Sequence, residues 1–236
     1  MKPRNFYEKR NRLISRVNKK RYSDLPPRII KIIEILSEQK INRFLDIGCG
    51  DTLLSKYIIS NVRIKEYYGI DITDSGVSEA KKLGIIATKL NIDETDLPYE
   101  NNYFDCILAG ELIEHLFDPD HFLTEVYRVI KKNGSLVITT PNLASWHNRI
   151  AILLGYQPHY SEVSTKYNVG KLLATNKHDV SGHIRLFTLR ALRELLEIYK
   201  FRIARVFGYG TNFFLDKYIF NFFPSLSTGL IIMCRK

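Results

Sequence analysis

Phe44-Leu45-Asp46-Ile47-Gly48-Cys49-Gly50, followed by Asp51-Thr52-Leu53-Leu54, decides the fold of this 236-residue chain. Phe44, Leu45 and Ile47 close a buried strand that starts at Ile41. Gly48 and Gly50 then turn the backbone, and Thr52 can cap a helix whose Leu53, Leu54, Tyr57 and Ile58 fall at helical spacing. A strand that passes through a glycine turn into a helix N-terminus leaves backbone N–H groups facing a ligand, with no side chain between.

The second half of the unit sharpens the reading. Tyr67-Tyr68-Gly69-Ile70 reads as another short strand and ends in Asp71. An acidic residue at that distance from the glycines, about 20 positions, can accept both hydroxyls of a ribose. The dinucleotide fingerprint GxGxxG is incomplete, because Leu53 stands at its third glycine position. From about Arg43 to Asn142 the chain resembles the class I S-adenosylmethionine-dependent methyltransferases, in particular a broad type 11/type 23-like group. LDIGCG matches the family's first motif, and three further motifs follow in family order.

Outward from this unit, strands alternate with helices. Asp24-Leu25-Pro26-Pro27 opens a helix that buries Ile29, Ile30, Ile33 and Leu36. Strands are expected at Ile41–Ile47, Glu66–Ile70, Ile85–Leu90, Tyr103–Ala109, Ser135–Thr140, Phe201–Phe207 and Leu230–Cys234. A short helix around Val77–Leu83 is capped by Asp74 or Ser75. Another opens at Pro119 and is stopped by Lys131-Lys132-Asn133-Gly134, and a third is capped by Thr188. This alternation predicts an α/β three-layer sandwich around a largely parallel sheet. The resemblance adds a Rossmann-like methyltransferase sheet of seven strands, in the order 3-2-1-4-5-7-6 with the last strand antiparallel.

S-adenosylmethionine (SAM) is the cofactor the resemblance implies. Methyl transfer from a sulfonium needs alignment more than covalent help, so its binding residues should lie at successive strand ends. Gly48 and Gly50 admit the methionyl part, with Asp46 orienting their loop. Asp71 takes the ribose and Ile72 covers one adenine face. The acidic position near the adenine amino group falls on Asn91 in one register, beside Ile92, or on Asp93 in the other. Gly110, after the fourth strand, passes the cofactor's amino-acid end.

Gly110-Glu111-Leu112-Ile113-Glu114-His115-Leu116 gathers two carboxylates and an imidazole at i,i+3 and i,i+4 spacing, which a helix would place on one face. The ExxEH pattern is common in the family at this place, and some branches use it with a further histidine to hold a metal. Leu116 stands where the RNA 2′-O-methylating branch has a second histidine, so no metal is expected here. Glu114 and His115 are instead expected to act on the acceptor side. His183, in GHIRLFT, is the candidate base that takes a proton from an acceptor hydroxyl. His147 and His159 have only their loop location in their favour.

Composition bounds the rest. Apolar residues at 45% and charged residues at 25% suit one globular domain. No apolar run reaches the roughly 18 residues of a spanning helix, and the N-terminus lacks a signal-peptide core, so a cytoplasmic location is expected. Cys49, Cys106 and Cys234 are scattered, which suggests neither disulfides nor a zinc cluster. Residues 1–22 carry nine Lys or Arg against Glu8, or +8 of the net +10. We therefore read 1–25 as a basic arm able to meet an anionic partner, RNA or a membrane surface, and 26–236 as the SAM-dependent domain. Within that domain, 142–183 is too long for an ordinary connection and reads as an acceptor-side insertion or lid. The aromatic run FFLDKYIFNFFP, residues 213–224, would close an apolar pocket, touch lipid or pack in the core.

The expected activity is methyl transfer from SAM to a hydroxyl or similar nucleophile on a small or lipid-linked acceptor, with a peripheral membrane location if lipid-linked. RNA methylation and a non-catalytic SAM-binding scaffold are the alternatives.

Overall fold

The structure, a computed structural model, describes residues 25–50, 52–172, 180–210, 219–220 and 222–236. Nearly all of the basic arm and most of the aromatic run lie outside them. In chain order the elements are α1 (Pro27–Ser37), β1 (Ile41–Ile47), α2 (Thr52–Asn61), β2 (Ile64–Asp71), α3 (Asp74–Lys82), β3 (Ile86–Lys89) and β4 (Phe104–Gly110). A 3₁₀ turn (Ile113–His115), α4 (Pro119–Val129), β5 (Ile130–Pro141), α5 (Trp146–Leu153), α6 (Leu189–Ile198), β6 (Arg202–Tyr209) and β7 (Gly229–Arg235) complete them, with a short 3₁₀ turn at Pro224–Leu226.

The sheet has seven strands in the order β3-β2-β1-β4-β5-β7-β6. Pairing is parallel from β3 to β5, and β7 runs antiparallel to both neighbours. Alternation along the central strands divides the core into two layers. Phe44, Cys106, Leu108 and Val137 face α1, α2 and α3, where Ile32, Ile58 and Val77 pack on them. Leu45, Ile47, Ile107, Ala109 and Ile138 face the opposite layer, with Phe122 and Val126 of α4 and Leu192 and Leu196 of α6.

Five local expectations are corrected. The cap of α3 is Thr73, whose hydroxyl accepts from Gly76 N–H; Asp74 is instead the acidic residue of the first turn. Leu53 of α2 stays half exposed, while Leu54, Tyr57 and Ile58 form the buried side of the helix. On α1 the inward face is Ile29, Ile32, Ile33, Ile35 and Leu36, with Ile30 only partly buried. The segment Lys131-Lys132-Asn133-Gly134 belongs to β5 rather than ending a helix. Ile130 already pairs with Phe104, and regular pairing resumes at Ser135 after a shift of register. Pro141 also stays in the sheet, opposite Gly229.

Candidate active site

The strand ends bring the expected residues to one edge. Gly48 sits at φ +85°, and its N–H and that of Cys49 both donate to Ile70 O, so the glycine turn is tied to the end of β2. Gly50 N–H donates to Asp71 Oδ2 at 2.8 Å. A Cβ on Gly50 would lie 2.5 Å from that same oxygen, so this glycine makes room for the carboxylate. Asp71 Oδ1 accepts from the N–H and hydroxyl of Thr73. That leaves Oδ2 with a lone pair for a ligand hydroxyl. Beside it Ile72 is 58% exposed, an uncovered apolar surface at the rim.

Asp46 lies deeper. It is buried, accepting from Tyr67 Oη at 2.8 Å and Ser55 Oγ at 3.4 Å, and it anchors the loop from beneath. Burial, followed by the Asp46 charge, pushes the Tyr67 phenol well above its usual range, so it stays a donor. Of the two registers after β3, Asn91 Oδ1 accepts from Asp93 N–H, while Asp93 Oδ1 accepts from Asp118 N–H at the start of α4. Ile92 between them is buried. Gly110 closes β4, with the Arg28 guanidinium 3.7 Å from where its Cβ would be. Sequence reading passed over Arg28, since its approach to β4 depends on how α1 packs and no spacing in the chain encodes that.

The ExxEH group is rearranged. Glu111 is not helical: at φ +51° it leaves β4 in a left-handed conformation. Its N–H donates to Thr139 O and Oγ1, and its Oε1 accepts from Thr139 Oγ1 at 2.7 Å and Tyr209 Oη at 2.8 Å. The partner of Glu114 and His115 is instead His183, and one ligating atom from each of the three lies within 4.8 Å of the others. Glu114 is fully buried. Oε2 accepts from Thr140 Oγ1, and Oε1 has no hydrogen-bond partner among the described residues. Burial, with the Glu111 charge second, pushes the Glu114 carboxyl up to about 8.

Both imidazoles are oriented by backbone. His115 Nδ1 faces Gly182 O at 3.2 Å and His183 Nδ1 faces Tyr160 O at 3.3 Å, with the two rings 4.8 Å apart. A carbonyl oxygen only accepts, so each Nδ1 carries the proton and each Nε2 keeps a lone pair. Burial, then the neighbouring His115, lowers the His183 pKa, which favours the neutral, proton-accepting ring. The chain just past His183 is tied to this cluster by the N–H groups of Ile184 and Arg185, which both donate to Glu114 O.

A largely parallel sheet with β7 reversed beside its far edge, a glycine turn after β1, an acid ending β2 and carboxylate and imidazole groups after β4 make up the Rossmann-like methyltransferase fold. The residues fit S-adenosylmethionine: the Asp71 carboxylate stands beside the glycine turn, and the apolar Ile72 surface next to it is uncovered. Residues 45–138 match the family model described as "Methyltransferase domain". The chain is 30% identical over 157 residues to the mitochondrial ubiquinone biosynthesis O-methyltransferase of Saccharomyces cerevisiae, covering 62% of this chain and 50% of that protein. It is 30% identical over 116 residues to a fatty-acid O-methyltransferase of Mycolicibacterium smegmatis, covering 46% and 42%. The chain thus spans about half the length of the curated relatives it matches. A SAM-dependent methyltransferase structure from Archaeoglobus fulgidus shares the fold at TM-score 0.60 and 17% identity, covering 89% of this chain and 91% of that one. Residues 45–138 thus carry a type 11-like methyltransferase domain, on a fold shared with SAM-dependent methyltransferases.

Proposed function

We propose that the protein transfers the methyl group of SAM to a hydroxyl, or a nucleophile of similar character, on an apolar acceptor that is small or lipid-linked. The observation that carries this is the cluster of Glu114, His115 and His183, whose two imidazoles hold bare Nε2 atoms just beyond the cofactor edge. SAM supplies an activated methyl with a neutral leaving group, so the protein's task is to align the acceptor and accept its proton. His183 is the base in this reading, with Glu114 and His115 fixing the acceptor beside it. Asp71 binds the ribose, Ile72 covers the adenine, and Asn91 or Asp93 meets its amino group. Gly48, Gly50 and Gly110 admit the methionyl backbone, and Arg28 takes its carboxylate.

The apolar nature of the acceptor rests on α5, at the start of the insertion we read as a lid over residues 142–183. This helix turns its polar side inward: Asn148 and Ala151 are buried, while Trp146, Ile150 and Leu153 stand 45%, 43% and 84% exposed along one face. Asn148 is anchored by donating to Asn142 O and accepting from His159 N–H, so the inversion is built in. The two relatives named above act, by their names, on a quinone precursor and on fatty acids, in keeping with such an acceptor. Among the described residues no helix is long and apolar enough to cross a membrane, so contact with lipid would be peripheral.

Labelled SAM incubated with lipid, small-molecule, protein and RNA fractions tests the reading. Label in an extractable apolar product, lost in His183→Ala, supports it. Label in RNA would replace it with RNA methylation, where the basic arm would have its partner. Binding of S-adenosylhomocysteine without transfer to any fraction would leave a cofactor-binding scaffold.

A second reading is favoured by one observation, the fully buried Glu114 Oε1 that has no partner among the described residues. A divalent cation held by Glu114, His115 and His183 would satisfy it, and would orient the acceptor oxygen in place of a base. Activity that disappears on chelation and returns with added Mg²⁺, Mn²⁺ or Zn²⁺ would select this reading.

A further inference from the structure

We propose that Glu162, in the middle of the insertion, is the positioning residue for both imidazoles of the cluster. The inference rests on the reading of His115 and His183 as the acceptor-side working groups. Glu162 Oε1 accepts from Ser181 N–H and Oε2 from Gly182 N–H, the latter at 2.8 Å. One carboxylate therefore fills the concavity made by two successive backbone N–H groups. The residue that Glu162 grips, Gly182, turns its carbonyl to His115 Nδ1. The other imidazole is held from the Glu162 side of the loop, where Tyr160 O faces His183 Nδ1. Residues 160–162 thus bind residues 181–183 in both directions, by carboxylate to amides and by carbonyl to ring.

The consequence is directional. Without the carboxylate, the N–H groups of Ser181 and Gly182 lose their acceptor, and a shift of the Gly182 backbone carries away the carbonyl oxygen that orients His115. The Tyr160 carbonyl and the His183 ring then part as the two arms of the loop separate. Position 162 is two residues past Tyr160, whose ring lies 5.6 Å from that of His183, so carboxylate and ring meet the far arm side by side. Farther out, Lys171 Nζ donates to Pro158 O and Ser161 O, which holds the near arm to itself but not to residues 181–183. On the far arm, Arg185 donates to Leu116 O and Phe117 O, so the chain beyond His183 stays docked whether or not Glu162 is present.

The full chain with S-adenosylhomocysteine decides the matter by NMR and amide exchange, with Glu162→Ala and Glu162→Gln beside wild type. Loss of both acceptors in Glu162→Ala should speed exchange at Ser181 and Gly182 at least tenfold. It should also shift the Cε1–H resonances of His115 and His183, leaving His121 on α4 in place. Glutamine offers one carbonyl oxygen, so Glu162→Gln should keep one of the two amides protected and move the rings less. S-adenosylhomocysteine affinity should stay within twofold of wild type in both. Unchanged amide exchange in Glu162→Ala would overturn the grip, and lost protection with unmoved ring resonances would overturn the positioning. Wild type that fails to bind S-adenosylhomocysteine would defeat the functional reading instead, and the ring resonances would still decide the role of Glu162.

Discussion

Tyr209 at the end of the edge strand β6 donates its hydroxyl to Glu111 Oε1 at the end of β4, at 2.8 Å, although two strands lie between them in the sheet. The ring gets there by lying over Gly229, its pairing partner on β7, where a Cβ would stand 2.1 Å from the ring carbon that bears the hydroxyl. Burial, and then the Glu111 charge, holds the Tyr209 phenol well above its usual range, so it remains a donor at any working pH. Glu111 is thereby fixed in a left-handed backbone conformation that costs a non-glycine residue about 1–2 kcal/mol.

Gly229→Ala should therefore be more damaging than Tyr209→Phe. The phenylalanine loses one hydrogen bond, worth about 1 kcal/mol. The alanine must expel the ring, an overpacking cost of about 1–3 kcal/mol on top of that bond. Urea denaturation of the two variants checks the order, and equal midpoints would contradict it.

The two glycines of the turn should fail differently. Gly48 has φ +85°, but a Cβ there meets only Leu112 Cδ1 at 3.6 Å, so Gly48→Ala should cost about 1–2 kcal/mol of folding through backbone strain. Gly50→Ala displaces the Asp71 carboxylate. S-adenosylhomocysteine should then bind at least tenfold more weakly, as in Asp71→Ala, a loss of about 1.4 kcal/mol or more. Calorimetric titration beside thermal melting separates the two effects.

Stability should fall as pH rises from mildly acid to mildly basic. Glu114 keeps its proton in the folded chain up to about 8, against 4.5 for an ordinary glutamate. Its contribution is fully present below the unfolded value and is lost as pH climbs through the folded one, at up to about 1.4 kcal/mol per unit. In the presence of a chelator, Glu114→Gln should flatten this slope and be relatively more stable at pH 8 than at pH 5. A variant with the wild-type slope would assign the dependence elsewhere.

Lys236 should matter more than a surface lysine usually does. Its ammonium donates to Tyr127 O at 2.6 Å, Ile130 O at 2.9 Å and Asn102 Oδ1 at 2.8 Å, and lies over the Tyr127 ring. It closes the C-terminal carbonyls of α4 where the chain enters β5. Lys236→Met, which keeps the apolar stem, should lower stability by about 1–2 kcal/mol, read from denaturant midpoints.

Local signals carried much of this fold. Leu45-Asp46-Ile47-Gly48-Cys49-Gly50, the acid at 71, Pro119 after the Asp118 cap and Thr188 before α6 act within a few residues of themselves, so periodicity and capping place their elements. The interruption at residues 131–134 misled, because a lysine-rich run ending in glycine is chemically a helix stop as much as a bulge in a strand. Pairing with Phe104 and Cys106 on β4 made it the latter.

The working end of the molecule was less legible. Sequence by itself determined that residues 111–115 bring carboxylates and an imidazole to the edge after β4, since that follows from their place in the chain. Which of them meet was decided by tertiary structure. Thr139 on β5 and Tyr209 on β6 hold Glu111, and a loop arriving 68 positions later sets His183 beside His115. Arg28 at Gly110 and Glu162 beneath Gly182 are of the same kind. Helix i,i+4 spacing is a rule about neighbours on one element. These contacts join elements whose separation in sequence carries no geometric information until the sheet order and the docking of the insertion have fixed it.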